Sequence, residues 1–290
     1  MRLATIVDEG RATAAVVEGR RVLPLAIPGA ELDSMRAIAA GGEAALRRVG
    51  EWVRGQPAGA FRALEDVVLG PAIPDPGAIY TIGLNYAAPG EALDAGEAPD
   101  AGEGSERPLV YGKLPSSVTG HGALVAWDRS LTANVDAEVE LGVVIGASGP
   151  GRTAAGPLGQ VFGYTCVNDI SSRDPWLDGD QWLLGKSMAG FCPVGPWVVT
   201  ADELDPADLR LGCTVNGVAQ QDDRTSRMRH SIGALIAYLA RHVELRPGDL
   251  VVTGTPARLA APPGPDRRLQ PGDVVTVWIE GIGGLTNPIG

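Results

Sequence analysis

Three acids mark the stretch of this chain best suited to chemistry. Glu138 and Glu140 stand two residues apart in 134-NVDAEVELGVVIGASG-149, and Asp169 follows in 161-VFGYTCVNDISSRD-174. Val135, Val139, Leu141, Val143, Val144 and Ile145 are strand formers, so the first segment reads as a β-strand. Side chains alternate faces along a strand, which puts Glu138 and Glu140 on one side. Like charges so placed repel each other unless a proton or a cation lies between them. The second segment reads as another apolar strand, ending on Asn168-Asp169 where a turn brings a third carboxylate toward the same point. Three oxygen ligands with no nearby His or Cys suit a hard divalent cation: Mg²⁺, Mn²⁺ or Ca²⁺. A solvated β-face with a turn-forming aspartate is the competing reading.

Lysine occurs only at positions 113 and 186, against 24 lysines and arginines together. A chain that uses arginine everywhere else is expected to keep these two where a compact ammonium is needed.

These side chains need elements to position them. At 290 residues the chain can bury a full core, as one large domain or as a small one joined to a large one. A net charge of −11 argues against nucleic acid and anionic membrane as partners. No run approaches the ~18 apolar residues of a membrane span. The start, MRLATIVDEGRAT, has no apolar run of signal-peptide length. Cys166, Cys192 and Cys213 follow no disulfide or zinc pattern and read as reduced, buried thiols, so a cytoplasmic location is expected.

Residues 1–25 alternate apolar and polar between Gly-containing turns and predict a short meander. Residues 30–54 have helical spacing and predict one or two helices. Pro71, Pro74, Pro76 and Gly77 mark a boundary, dividing the chain into a small domain (1–72) and a large one (73–290). The acidic stretch 87–108 is poor in large apolar residues and reads as a lid loop or as filler. Beyond it the chain is strand-rich, and Pro-Gly-Asp turns launch strands after 247 and 271. A helix is expected over 226–242, with His230 and His242 at the surface beside it. Arg224, Arg227 and Arg229 form an anion patch or a solvated face. The glycines after 142 open no helix with the dinucleotide-binding spacing, which excludes such a site.

The same acids lie in a series of motifs that resembles the fumarylacetoacetate hydrolase family, whose members act on 2-oxo acids and 1,3-dicarbonyl compounds. The matching segments include 82-IGLNY-86, 113-KLPSSVTG-120, 136-DAEVELGVVIG-146, 162-FGYTCVNDISSRD-174, 185-GKSMAGFCPVGPWVVT-200, 215-VNG-217, 247-PGDLVVTGTP-256 and 271-PGDVVTVWIEGIGGLTN-287. The resemblance implies an α+β, β-rich fold, a mixed β-roll carrying a small N-terminal α/β domain, and a homodimer. It implies that Glu138, Glu140 and Asp169 bind the metal, and that Lys186, Gly254 and Thr255 meet the substrate's oxygens. Lys113, Tyr86 and Trp176 complete the expected substrate-binding set.

The chain also departs from the family. Where relatives usually carry N-Y-x-x-H-x-x-E, with His and Glu as an acid–base dyad, 85-NYAAPGEA-92 has Pro89 and Ala92. Glu91 is one place off. Trp176 replaces the usual Gln after S-x-R-D, and 257-ARLA-260 replaces Gly-Val-Gly. With the acids and Lys186 kept, the expectation is a divalent-metal-dependent enzyme that forms an enolate of a small oxo-acid or dicarbonyl substrate. Tautomerisation, decarboxylation and C–C cleavage are lyase or isomerase reactions of that kind. His121, Glu91 or another acid of the 91–106 loop is expected to relay the proton. An ordinary C–C bond hydrolase and a silent metal-binding relative are the alternatives.

Overall fold

Alternating small apolar residues make hairpins of the first segments. Arg2–Asp8 pairs with Arg11–Glu18 through a two-residue turn in which Glu9 and Gly10 both have positive φ (49° and 81°). Such turns match the natural twist of the strands they join. Arg21–Pro24 adds a third strand, as the meander predicts. The computed structural model describes residues 1–91, 107–146, 156–259 and 268–290, so most of the expected lid over 87–108 lies outside the described residues.

The first strand's other edge pairs with Cys192–Thr200, Arg2 facing Val199 and Leu3 facing Val198. The meander therefore continues a sheet of twelve strands. From Cys192–Thr200 the sheet runs through Val161–Asn168, Val139–Ile145, Leu250–Val252 and Ile79–Gly83 to an edge at Leu109–Lys113. The helix Met35–Arg54 is capped by Ser34, whose side chain accepts the Ala37 N–H, and it breaks at Gly42 (φ 53°, ψ −140°). It buries Met35, Ile38, Ala39, Ala45 and Val49 in a core that contains Leu3 and Val16 but also Val144, Phe162, Val194 and Leu250. The first 72 residues thus share both a sheet and a core with the rest.

The segment around the acids is not one strand. Val135–Asp136 pairs with Ser171–Ser172, the chain breaks at Ala137-Glu138, and Val139–Ile145 begins anew. Every residue of Val139–Ile145 is buried, as expected of a strand covered on both faces. A second sheet, ordered Val218–Arg224, Arg210–Val215, Val274–Ile279, Gly283–Pro288, covers one face. Leu141, Val143 and Cys166 meet Leu211, Cys213, Val277 and Leu285 there, with Leu235, Ile236 and Leu239 of the helix Ile232–His242. Both Pro-Gly-Asp turns hold their glycine at positive φ, Gly248 at 86° and Gly272 at 92°.

The expected helix over 226–242 starts six residues later. Ser231 caps it by accepting the Ala234 N–H, and Met228 instead forms a β-bridge with Tyr86. His230 corrects a second expectation: it is buried, and its N–H donates to Asn85 Oδ1 at 2.8 Å, whereas His242 is exposed. The fold is α+β, rich in sheet and with few helices. Among the described residues no helix is long and apolar enough to cross a membrane.

Candidate metal and active site

Strand ends bring the three acids together. Antiparallel pairing sets Val139 opposite Asn168 and so places the residues around each at one end of the sheet. Asn168 Oδ1 accepts the Glu138 N–H at 3.1 Å, and the Asp169 N–H donates to the Glu138 carbonyl at 2.9 Å. Glu140 lies within the strand, 1% exposed, and Asp169 is fully buried. One carboxylate oxygen from each of Glu138, Glu140 and Asp169 falls within 4.8 Å of the others.

Cations hold this cluster from two sides. Lys113 Nζ lies 2.6 Å from Asp169 Oδ1 and donates to the Ile170 carbonyl at 3.1 Å. Lys186 Nζ lies 2.6 Å from Asp169 Oδ2, 3.2 Å from Glu138 Oε2 and 2.6 Å from Ser171 Oγ. The chain's two lysines therefore meet on one carboxylate. Arg173, from the S-S-R-D turn, bonds Glu138 Oε1 and bridges to Asp136 and Asp178. Tyr111 donates its hydroxyl to Asp169 Oδ2 at 3.3 Å, stands edge-on to Trp182 and carries Lys186 Nζ 5.1 Å from its ring centre.

These surroundings separate the acids electrostatically. Burial alone would push the Asp169 carboxyl up, but Lys113 and Lys186 outweigh it and hold the group at about 2. Glu140 is pushed well above the ordinary carboxylate range by burial and then by the Asp169 charge, with the Lys186 ammonium and the Gly254 N–H pulling the other way. Burial works against the Lys186 ammonium, yet Asp169 and Glu138 raise it well above its ordinary value, so it is a charged donor at neutral pH. Tyr111 is raised by burial and then by Asp169, and stays a neutral phenol.

A loop after Leu250–Val252 closes the cluster. The Gly254 N–H donates to Glu140 Oε2. Gly254 sits at φ +95°, and a Cβ there would come within 2.8 Å of Asn85 Cβ, so this approach requires glycine. Asn85 Nδ2 donates to the carbonyls of Thr253 (2.8 Å) and His230 (3.2 Å), tying the Asn-Tyr pair to the same loop. The Thr255 hydroxyl donates to the Val139 carbonyl at 2.9 Å and accepts from Gln221 Nε2 at 2.7 Å. Tyr86 is 7% exposed, and its hydroxyl is raised by burial and then by Glu140 and Asp223.

The other sequence candidates lie elsewhere. His121 lines a cavity of about 840 Å³ with Val67, Leu69, Pro71, Pro196 and Trp197, and none of the three acids is in that lining. Its Nδ1 accepts the Thr286 N–H at 3.2 Å, and burial lowers its pKa. Glu91 is engaged by Arg229 through two hydrogen bonds of 2.8 and 2.7 Å and accepts the Ala88 N–H at 2.8 Å. Trp176 is 58% exposed on the short helix Pro175–Gly179. The aromatic that touches the acids is Tyr111, with Trp182 edge-on behind it, and no spacing rule singled out either. Arg224, Arg227 and Arg229 are each paired, with Asp208, Asp223 and Glu91.

The donor set fits a hard divalent cation. Oxygens bound at about 2.0–2.6 Å from one ion lie up to about 5 Å apart, which matches the cluster. A 2+ charge would also offset the burial and the Asp169 charge that raise the Glu140 carboxyl.

Residues 78–290 match the family described as fumarylacetoacetate (FAA) hydrolase, C-terminal. Among curated proteins, an uncharacterised protein of Staphylococcus haemolyticus (strain JCSC1435) is 38% identical over 228 residues, 78% of this chain and 73% of its own length. Among solved structures, a fumarylacetoacetate hydrolase from psychrophilic Exiguobacterium antarcticum is 31% identical with a TM-score of 0.80, covering 100% of this chain and 99% of that one. A 2-hydroxyhepta-2,4-diene-1,7-dioate isomerase from Mycobacterium marinum is 30% identical (TM-score 0.74; 100% and 98% covered). A maleylpyruvate hydrolase from Sphingobium sp. SYK-6, in complex with manganese(II) and pyruvate, is 25% identical (TM-score 0.79; 100% and 98%).

Proposed function

The chain belongs to the fumarylacetoacetate hydrolase family, and from that premise we propose a divalent-metal-dependent enzyme that forms an enolate of a small 2-oxo acid or 1,3-dicarbonyl compound. The observation that carries this reading is the convergence of Glu138, Glu140 and Asp169 within 4.8 Å, with the Lys186 ammonium against two of them. The three acids would hold Mg²⁺ or Mn²⁺, a Lewis acid that makes the C–H beside a bound carbonyl more acidic. Lys186 supplies a fixed positive donor for negative charge that develops on the substrate's oxygen. Asp169 keeps that ammonium charged and aimed, and Lys113 holds the other oxygen of Asp169.

Tautomerisation, decarboxylation and C–C cleavage share this enolate step. Hydrolysis further needs a base for water, and Glu91, the acid nearest the family's dyad position, is committed to Arg229. We therefore rank a lyase or isomerase reaction above simple hydrolysis. By family analogy we assign a homodimer working in the cytoplasm, with residues 1–72 as the small domain beside a catalytic domain of 73–290.

The test uses metal-stripped protein in D₂O with oxaloacetate and acylpyruvates, followed by NMR. Restoring Mg²⁺ or Mn²⁺ is expected to start deuterium exchange beside the carbonyl. Lys186→Met is expected to slow it about 100-fold, the scale for losing one preorganised donor. Exchange that ignores the metal, or that survives loss of Lys186, would sink the reading.

A further inference from the structure

We infer that Gln221 is a positioning residue of the carboxylate centre, setting the spacing of Glu138 and Glu140 through the backbone of Val139. The inference rests on the metal-centre reading above. Gln221 belongs to Val218–Arg224, an edge strand of the smaller sheet, and is 2% exposed. Its Oε1 accepts the Val139 N–H at 2.9 Å. Its Nε2 donates to Thr255 Oγ1 and to the Pro256 carbonyl, both at 2.7 Å. Thr255 in turn donates its hydroxyl to the Val139 carbonyl at 2.9 Å.

Val139 is the residue between the two glutamates. Both hydrogen-bonding groups of its backbone are thus held by one closed triangle of Gln221, Thr255 and Val139. The amide uses both its donors and its acceptor there. The Leu259 N–H donates to the Gln220 carbonyl at 2.9 Å, strapping the same loop to the same strand. That loop also carries Gly254, whose N–H reaches Glu140. Gln221 therefore joins both the strand that bears Glu140 and the loop that hydrogen-bonds it. A carboxylate at 221 would lose both donors and add another negative charge close to three.

A merely structural glutamine would affect stability and leave ion affinity alone. Groups that orient metal ligands typically cost 10–100-fold in affinity when removed. Mn²⁺ is titrated into the full-length protein, with free ion read by EPR and folding checked by thermal melting. Gln221→Leu and Gln221→Glu are each expected to bind Mn²⁺ at least about tenfold more weakly. Thr255→Val is expected to lose a similar factor, and Thr255→Ser, which keeps the hydroxyl, to bind as the natural protein does.

The double variant Gln221→Leu/Thr255→Val should bind no worse than the weaker single one, because the two side chains act through one triangle. Folded single variants within twofold of the natural protein, or losses that multiply in the double variant, would overturn the inference. If Gln221→Leu does not fold, Thr255→Val against Thr255→Ser carries the same test. Should the natural protein itself bind no Mn²⁺, the carboxylate reading falls and this inference with it. If it binds and the variants match it, only the role of Gln221 is lost.

Discussion

Asp169 and Glu91 are both acids clamped by basic side chains, and they are clamped in opposite ways. Asp169 is fully buried, with one ammonium on each oxygen, and the Lys113 side chain facing it is fully buried too. Glu91 is about one-third exposed and takes a planar two-bond fork from Arg229. A surface fork of that sort costs little to form and is screened by salt. A buried cluster of charges carries a desolvation cost that mutual attraction offsets only with good geometry, so stability alone does not account for it. The difference teaches what burial changes. The buried acid keeps its charge against desolvation only through its two ammonium partners, and the exposed one latches a turn by accepting the Ala88 N–H.

The largest effect that would break this contrast is Asp169→Ala. It leaves the Lys113 ammonium buried with only the Ile170 carbonyl, and urea unfolding should show a loss of about 3–5 kcal/mol. A loss under about 1 kcal/mol would place the two clamps in one class.

Next in size is a pH effect on ion binding. Because burial and Asp169 hold the Glu140 carboxyl well above its ordinary value, a bound cation must displace its proton. Affinity for Mn²⁺ should therefore rise by up to about tenfold per pH unit as pH climbs toward that raised value, and level off above it. Calorimetry in buffers of different ionisation heat should register the released proton. Flat affinity between about pH 5 and 8 would mean that Glu140 already carries its charge.

The smallest effects belong to the residues outside the acid cluster. Glu91→Gln should shift the melting temperature only slightly, and His121→Ala should leave metal-dependent exchange within about twofold, since His121 lines a separate cavity. A large loss of exchange in either would return that residue to the proton relay.

What could be read in advance follows from how local each signal is. The acids were legible because their types and spacing sit in or beside strands whose apolar flanks are unmistakable, and Lys186, which follows the short helix Trp182–Gly185, because it lies in the 185-GKSMAGFCPVGPWVVT-200 motif. The rarity of lysine added Lys113, although its contact with a carboxylate 56 residues away had no local sign. The Gly42 break in the first helix and the Ser231 cap of the last lie in the local sequence. The late start of that last helix is tertiary in origin, since Tyr86 takes Met228 into a β-bridge. Tyr111 and Gln221 were invisible because one meets Asp169 and the other the backbone of Val139 from a strand more than 55 residues distant. His121 misled for the same reason: a loop histidine after Lys113 is near in sequence, and the chain carries it to another wall.

The antiparallel pairing of Arg2 with Val199 also sets a timetable. At about 5–20 residues per second, roughly ten to forty seconds of synthesis separate the first strand from its partner. Through that interval the hairpin from Arg2 to Glu18 can close on itself, since its pairing is local. The other edge of its first strand must wait, lent at most to Val68–Leu69. The large sheet is completed late, and a ribosome that stalls before Cys192 holds a half-built sheet with an open seam.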